Sequence, residues 1–292
     1  MLSCGPGRYS KPTDRVTRGQ KWVDGASEVA SRSAGVIRRA LGTLGTVNLI
    51  RHSAPAHLVA AEAICDNLAE LPLPNGRNVY KEPGAPTVTA WGTDGRPESW
   101  QCWAECAAFV TEVIRHSYPW ATDPWFRTHA RSTSPYAAAY QGLFASGALP
   151  GFSAVTRVTD LRPGDLIAMN YLDDATEVYT GHLVLVRQVG RPYTRIRRLA
   201  GSTQYPVQVI DCSRYPHGVP GRGDYAAYPD TRIDAAGRRW PGLGTGWMTF
   251  YGDSSDGRFT GYRWSVNSAE LATTDRRAIT AARITAVGAS GG

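Results

Sequence analysis

The chain has 292 residues, 42% hydrophobic and 20% charged, an ordinary balance for a globular protein with room for one large domain or a domain with an extension. Its net charge of +7 rests on 32 basic residues, all arginine apart from Lys11, Lys21 and Lys81. They are scattered, and the densest cluster is Arg195-Ile196-Arg197-Arg198. The sequence therefore carries no nucleic-acid-binding signature, no apolar run of about twenty residues for a membrane span, and no Cys/His spacing that predicts a metal site.

Residues 1–25 are polar and rich in Gly and Arg, and they read as a mobile tail. The first forty residues show no apolar leader segment, so the expected location is cytoplasmic, or secreted if the chain is a processed form. Ser27 to Leu41 carries Val29, Val36, Ile37, Ala40 and Leu41, a short amphipathic pattern. Ala56 to Leu71 places Leu58, Ala61, Ile64, Cys65, Leu68 and Leu71 on one helical face, and Pro72, Pro74 and Gly76 end it. With the turn-rich connector 82–99, residues 26–97 read as an N-terminal helical extension.

From Trp100 to about Ser117 the pattern is helical, with Cys106, Phe109, Val110, Val113 and Ile114 at three- and four-residue steps before Pro119. Ser134-Pro135 predicts another helix start, Ser as N-cap and Pro at the first position, running from Tyr136 to about Phe144. Residues 151–163 lead to the first strand. After Gly164 the texture changes, with strands expected at 165–170, 181–188, 205–212, 245–251, 259–265 and 277–285. The Gly/Pro/Arg-rich segment 213–244 is a long loop, of the length that tends to carry function. Helices first and strands later predict an α+β domain with an antiparallel sheet.

Cys106 falls where a helix begins or is one turn old, and the positive end of a helix favours a thiolate. His182 opens a strand in which Val184 and Val186 share its face. Imidazole is the side chain whose proton affinity suits activation of a thiol at neutral pH. Asp211 ends the run Val207-Gln208-Val209-Ile210-Asp211 on the face of Val207 and Val209, where a carboxylate on a neighbouring strand can orient the base. Each residue alone has a commoner structural use: a buried small thiol, a satisfied core His, an Asp capping a turn. Their joint order, with Leu161-Arg162-Pro163-Gly164-Asp165-Leu166-Ile167 between, is what points to catalysis. His217 is a rival orienter or a substrate contact. Five irregularly spaced cysteines give no disulfide framework.

Glu105-Cys106-Ala107-Ala108-Phe109-Val110 resembles the Asp-Cys-Ser-Gly-aromatic-Val box of the NlpC/P60 cysteine peptidases, in the papain-like superfamily that includes the CHAP amidases. Leu161 to Ile167 followed by Gly181-His182-Leu183-Val184-Leu185-Val186 is similar to that family's second box. The resemblance covers about residues 98–290, the expected catalytic domain, with Glu105 in place of Asp and Ala107-Ala108 in place of Ser-Gly. It implies a nucleophile helix packed on an antiparallel sheet that bears the base. It also implies hydrolysis of an amide bond in a peptide or small-molecule substrate, often a cell-wall peptide, through an acyl-thioester and without metal or cofactor. Trp100-Gln101-Cys102 resembles the Gln-Cys of CHAP domains, which makes Cys102 a rival nucleophile. By the papain-like pattern, the Gln101 amide would join the Cys106 N–H in stabilising an oxyanion. Two alternatives stand beside hydrolysis. One is an acyl or peptidyl transferase on this scaffold, as in specialised-metabolite pathways. The other is a non-catalytic module whose arginines and aromatics hold an anionic ligand.

Overall fold

The computed structural model describes residues 54–285 apart from 83, 173–179 and 195–197, so the expected tail and the helix expected at 27–41 lie outside the described residues. In chain order it contains α1 (Ala56–Ala69), β1 (Asn78–Tyr80), β2 (Val88–Ala90), β3 (Gln101–Ala104), α2 (Cys106–Ser117), α3 (Asp123–Ala130) and α4 (Ala137–Ser146). There follow β4 (Phe152–Val155), β5 (Leu166–Tyr171), β6 (Gly181–Val189), β7 (Ser202–Ser213), β8 (Gly242–Asp253), β9 (Phe259–Arg263), β10 (Ala272–Thr273) and β11 (Arg277–Ile284). The domain is α+β. Its main sheet runs β10-β9-β8-β7-β6-β5-β11-β4 with every neighbouring pair antiparallel, and a small sheet runs β1-β3-β2.

The main sheet buries both faces, and alternation along each strand sorts the side chains between them. Leu166, Ala168, Leu183, Leu185, Ile210 and Cys212 face the helices, joining Ile64, Leu68, Phe109, Ile114 and Phe144 in one core. Ile167, Met169, Val184, Val186, Val207, Val209, Met248 and Phe250 fill a second core on the other face. The sheet curls around that second core and brings β9 and β10 against β11, where Arg277 donates to the Tyr262 hydroxyl at 3.0 Å. Each wholly buried Leu, Ile or Phe contributes about 2 kcal/mol.

All six strands expected after Gly164 form. Residues 101–104, expected as the first turn of a helix, are instead β3, held between parallel β1 and antiparallel β2. There Cys102 and Ala104 turn inward while Trp103 is exposed, so period two replaces the helical step and α2 starts at Cys106. The helix expected from Tyr136 starts at Ala137 with Tyr136 as its N-cap. The sequence reading passed over α3, whose Thr122 cap accepts from Trp125 N and whose first turn holds Pro124. It also passed over β4, which completes the edge beside β11.

Helix α1 was assigned to an extension ahead of residue 98, but it belongs to the same core. Leu58, Ile64, Cys65 and Leu68 are buried there, and Arg187 on β6 pairs with Glu62 and Asp66.

Candidate active site

Cys106 is the first residue of α2, one residue after the extended N-cap Glu105. The Glu105 side chain makes no capping bond; it pairs with Lys81 at 2.9 Å. The first intrahelical bond is Phe109 N to Glu105 O, so the N–H groups of the opening turn stay free to meet negative charge near the thiol.

His182 is the second residue of β6, opposite Met169 on β5. A side chain on the preceding Gly181 would run into the Met169 carbonyl oxygen, which gives the Gly-His pair a local reason. His182 is 5% exposed and Cys106 is 8% exposed. His182 Nε2 lies 2.6 Å from Asp211 Oδ2, and the Cys106 side chain is close enough to act on the ring. Burial alone would lower the His182 pKa. The charge of Cys106, then the bonds from Asp211 and Cys106, overcome it and push the ring up to about 9.

Asp211 is wholly buried, and burial alone would raise its pKa; the Arg232 guanidinium, then His217 and the bond to His182, hold it well below the usual carboxylate range. Arg232 Nη2 lies 3.0 Å from Asp211 Oδ1 and 2.8 Å from Asp230 Oδ2. His217 is buried behind Asp211. Its Nδ1 donates to Trp264 O at 2.6 Å and its Nε2 is 3.2 Å from Asp211 Oδ1. The Trp264 ring lies over both imidazoles, with centroids 4.8 Å from His182 and 4.4 Å from His217.

Room for this cluster comes from β8, where Gly244 and Gly246 present no side chain. A Cβ on Gly244 would sit 2.6 Å from Arg232 Cγ, and one on Gly246 would strike Asp230 Oδ2.

His182, Asp211 and His217 bring three donor atoms within 4.8 Å of one another, which raises the question of a metal. Two ligands on one zinc-sized ion stand on the order of 3 Å apart or more, because each bond is about 2 Å. His182 and Asp211 at 2.6 Å are instead at hydrogen-bonding distance, and a guanidinium already occupies the approach to Oδ1. The donor set fits a hydrogen-bonded relay better than a cation.

His182 opens on a cleft of about 680 Å³ walled by Tyr80, Tyr171, Tyr215 and Trp264. Arg214, Arg239 and Arg277 lie along it with Glu270. Cys106 is not among the lining residues, but it acts on His182, which is.

The structure thus brings Cys106, His182 and Asp211 together and places His217 behind Asp211, at one remove from His182. It does not bring Gln101. Because β3 is extended, about 3.3 Å per residue carries Gln101 roughly 15 Å from Cys106, and it pairs with Ala90 on the face of exposed Trp103. Cys102 faces the core beside Cys212 and has no path to the cleft. Asp165 of the Pro-Gly-Asp turn is structural, gripped by Arg283 through two 2.8 Å contacts. Sequence reasoning missed Arg232, Asp230 and Trp264. The alternation Gly242-Leu243-Gly244-Thr245-Gly246 was the signal, a strand face stripped of side chains to admit something bulky. No protein-family model, curated protein or solved structure matches this chain.

Proposed function

We propose that the protein is a cysteine hydrolase of the papain-like, NlpC/P60 type that opens an amide bond through an acyl-thioester. The observation that carries this reading is the position of His182, beside Cys106 and 2.6 Å from the Asp211 carboxylate, at the wall of an aromatic cleft. The order of parts supports the family reading: nucleophile helix, antiparallel hairpin opening with Gly-His, then an acid on the next strand.

His182 takes the proton of the Cys106 thiol. The sulfur attacks the substrate carbonyl, and the oxyanion is met by N–H groups of the opening turn of α2, not by Gln101. As the tetrahedral adduct collapses, the C–N bond breaks and imidazolium gives its proton to the departing amine. Water, deprotonated by the now neutral His182, then adds to the thioester carbonyl; the C–S bond breaks, the acid departs, and the sulfur takes its proton back from His182. Asp211 keeps the ring oriented and stabilises its charged form throughout.

Depth favours a second reading. With Cys106 and His182 only 8% and 5% exposed, an amine held in the cleft competes well with water for the thioester. That outcome makes the same chemistry an acyl transfer.

The test is incubation with wall-type peptides and with simple acyl thioesters, followed by mass spectrometry. An acyl adduct on Cys106, lost in Cys106→Ala with the fold retained, is expected, and the ratio of acid to amide product assigns hydrolysis or transfer. An adduct on another cysteine, or turnover retained in Cys106→Ala, overturns the proposal.

A further inference from the structure

We propose that Arg232 is a positioning residue for the Cys106–His182 pair and acts through Asp211, holding one carboxylate oxygen so that the other is left to His182. The division of the carboxylate is explicit. Oδ1 lies 3.0 Å from Arg232 Nη2 and Oδ2 lies 2.6 Å from His182 Nε2. The same guanidinium fixes the backbone that carries Asp211, because Nη1 donates to Asp211 O at 3.2 Å, to Ser213 Oγ at 2.7 Å and to Gly242 O at 3.2 Å. Arg232 is itself aimed by Asp230, which accepts from Nε at 3.0 Å, from Nη2 at 2.8 Å and from the backbone N–H groups of Arg232 and His217. Only a planar, many-donor cation serves so many acceptors at once; a lysine ammonium has neither the reach nor the fork.

The charge pattern explains why a catalytic site would hold this group. Asp211 and Asp230 are two buried carboxylates, matched by the guanidinium and by the imidazolium of His182. The Cys106 thiolate is then left to the imidazolium and the helix N-terminus. Without Arg232 there are two outcomes. Either Asp211 stays charged and the field at Cys106 turns more negative, or Asp211 takes a proton and the imidazolium loses its partner. Both make the thiolate harder to form. The neighbouring thiols do not replace the lost charge. Cys65 on α1 and Cys212 on β7 are buried thiols whose pKa burial pushes up, so they remain neutral. His217 faces the same Asp211 oxygen as Arg232. Around Cys106 stand Tyr171, whose pKa burial raises, and the Glu105–Lys81 pair.

This inference rests on the catalytic reading, and one experiment separates the two. The rate of Cys106 alkylation by iodoacetamide is followed against pH, with adducts located by mass spectrometry and folding checked by circular dichroism. In the wild type, Cys106 should react much faster near neutral pH than the same peptide in urea; if it does not, the catalytic reading itself fails. Given that control, Arg232→Met should move the acid limb of the profile up by about one pH unit or more, and Arg232→Lys should fall between the two. Asp230→Asn, nearly isosteric, leaves the guanidinium wholly to Asp211 and should move the limb to lower pH. A role confined to folding would change melting temperature but not the limb. A folded Arg232→Met or Arg232→Lys that superposes on wild type overturns the proposal. If neither folds, an unmoved or raised limb in Asp230→Asn overturns it.

Discussion

His57 and His182 are both nearly wholly buried, at 1% and 5% exposed, and each imidazole has polar partners, yet their chemistry diverges. His57 Nε2 donates to Gly164 O at 2.6 Å, so Nδ1 accepts from the Tyr118 hydroxyl, also at 2.6 Å. Burial lowers its pKa, and the pulls of Gly164 O and Asp165 do not restore it. His182 is buried beside Cys106 and a carboxylate and is driven up to about 9. Burial sets the size of the stakes, and the charge of the partners decides the sign. The two rings serve opposite ends of the β5–β6 hairpin. At one end Gly164 and Asp165 bond to Val186, and His57 ties α1 to that turn; at the other, Gly181-His182 opens toward Cys106. One end is a staple, and the other is proposed to do chemistry.

Removing the carboxylate breaks the contrast most severely. Asp211→Asn preserves shape but lets Nε2 meet a neutral amide, so the imidazolium loses its charged partner. We expect turnover to fall about 10⁴-fold, the loss seen when the acid of a catalytic triad is neutralised. Steady-state kinetics of the folded variant decide this, and a loss of less than tenfold would remove Asp211 from the relay. Tyr118→Phe, the matching change at His57, should leave turnover unchanged.

A milder perturbation is pH. Departure of the amine needs imidazolium, so turnover should decline as pH rises through about 9, while alkylation of the thiolate should not. In Cys106→Ala the largest raising influence on His182 is gone, and its ring should titrate lower by NMR while His57 holds its value. A His182 titration unchanged by removal of the thiol would mean that the two groups do not interact.

Cys106, His182 and Asp211 were legible because each sits on an element with a clear period, and Val184/Val186 and Val207/Val209 fix which face each strand residue takes. Gln101 was misread because its short apolar alternation runs straight into α2, and only pairing with β1 and β2 makes it a strand. Its consequence for the oxyanion is geometric, since an extended chain cannot fold Gln101 back over Cys106. Arg232 and Asp230 lie in the long loop 213–244, where local pattern says nothing about burial. Their position is dictated by the side-chain-free face of β8, a constraint written elsewhere in the sequence. The Pro-Gly-Asp turn was legible as a turn, but its acid acts through Arg283, more than a hundred residues away.

The smallest expected effect concerns the staple. His57→Leu removes both hydrogen bonds and leaves the buried Gly164 carbonyl unpaired, at a cost of about 2 kcal/mol, with turnover per folded molecule unchanged. The two histidines also pull stability in opposite directions with pH. The pKa of His57 is lowered on folding, so its contribution is complete above the usual imidazole range and is lost as pH falls through that range. The pKa of His182 is raised, so its contribution is complete below that range and is lost as pH rises through about 9. Denaturant melts of wild type and His57→Leu should therefore converge in mild acid, where the native ring is already a liability, and separate near neutrality. A gap that stays constant across that interval would mean that His57 is not held neutral by its surroundings, and the contrast between the two ends of the hairpin would lose its physical basis.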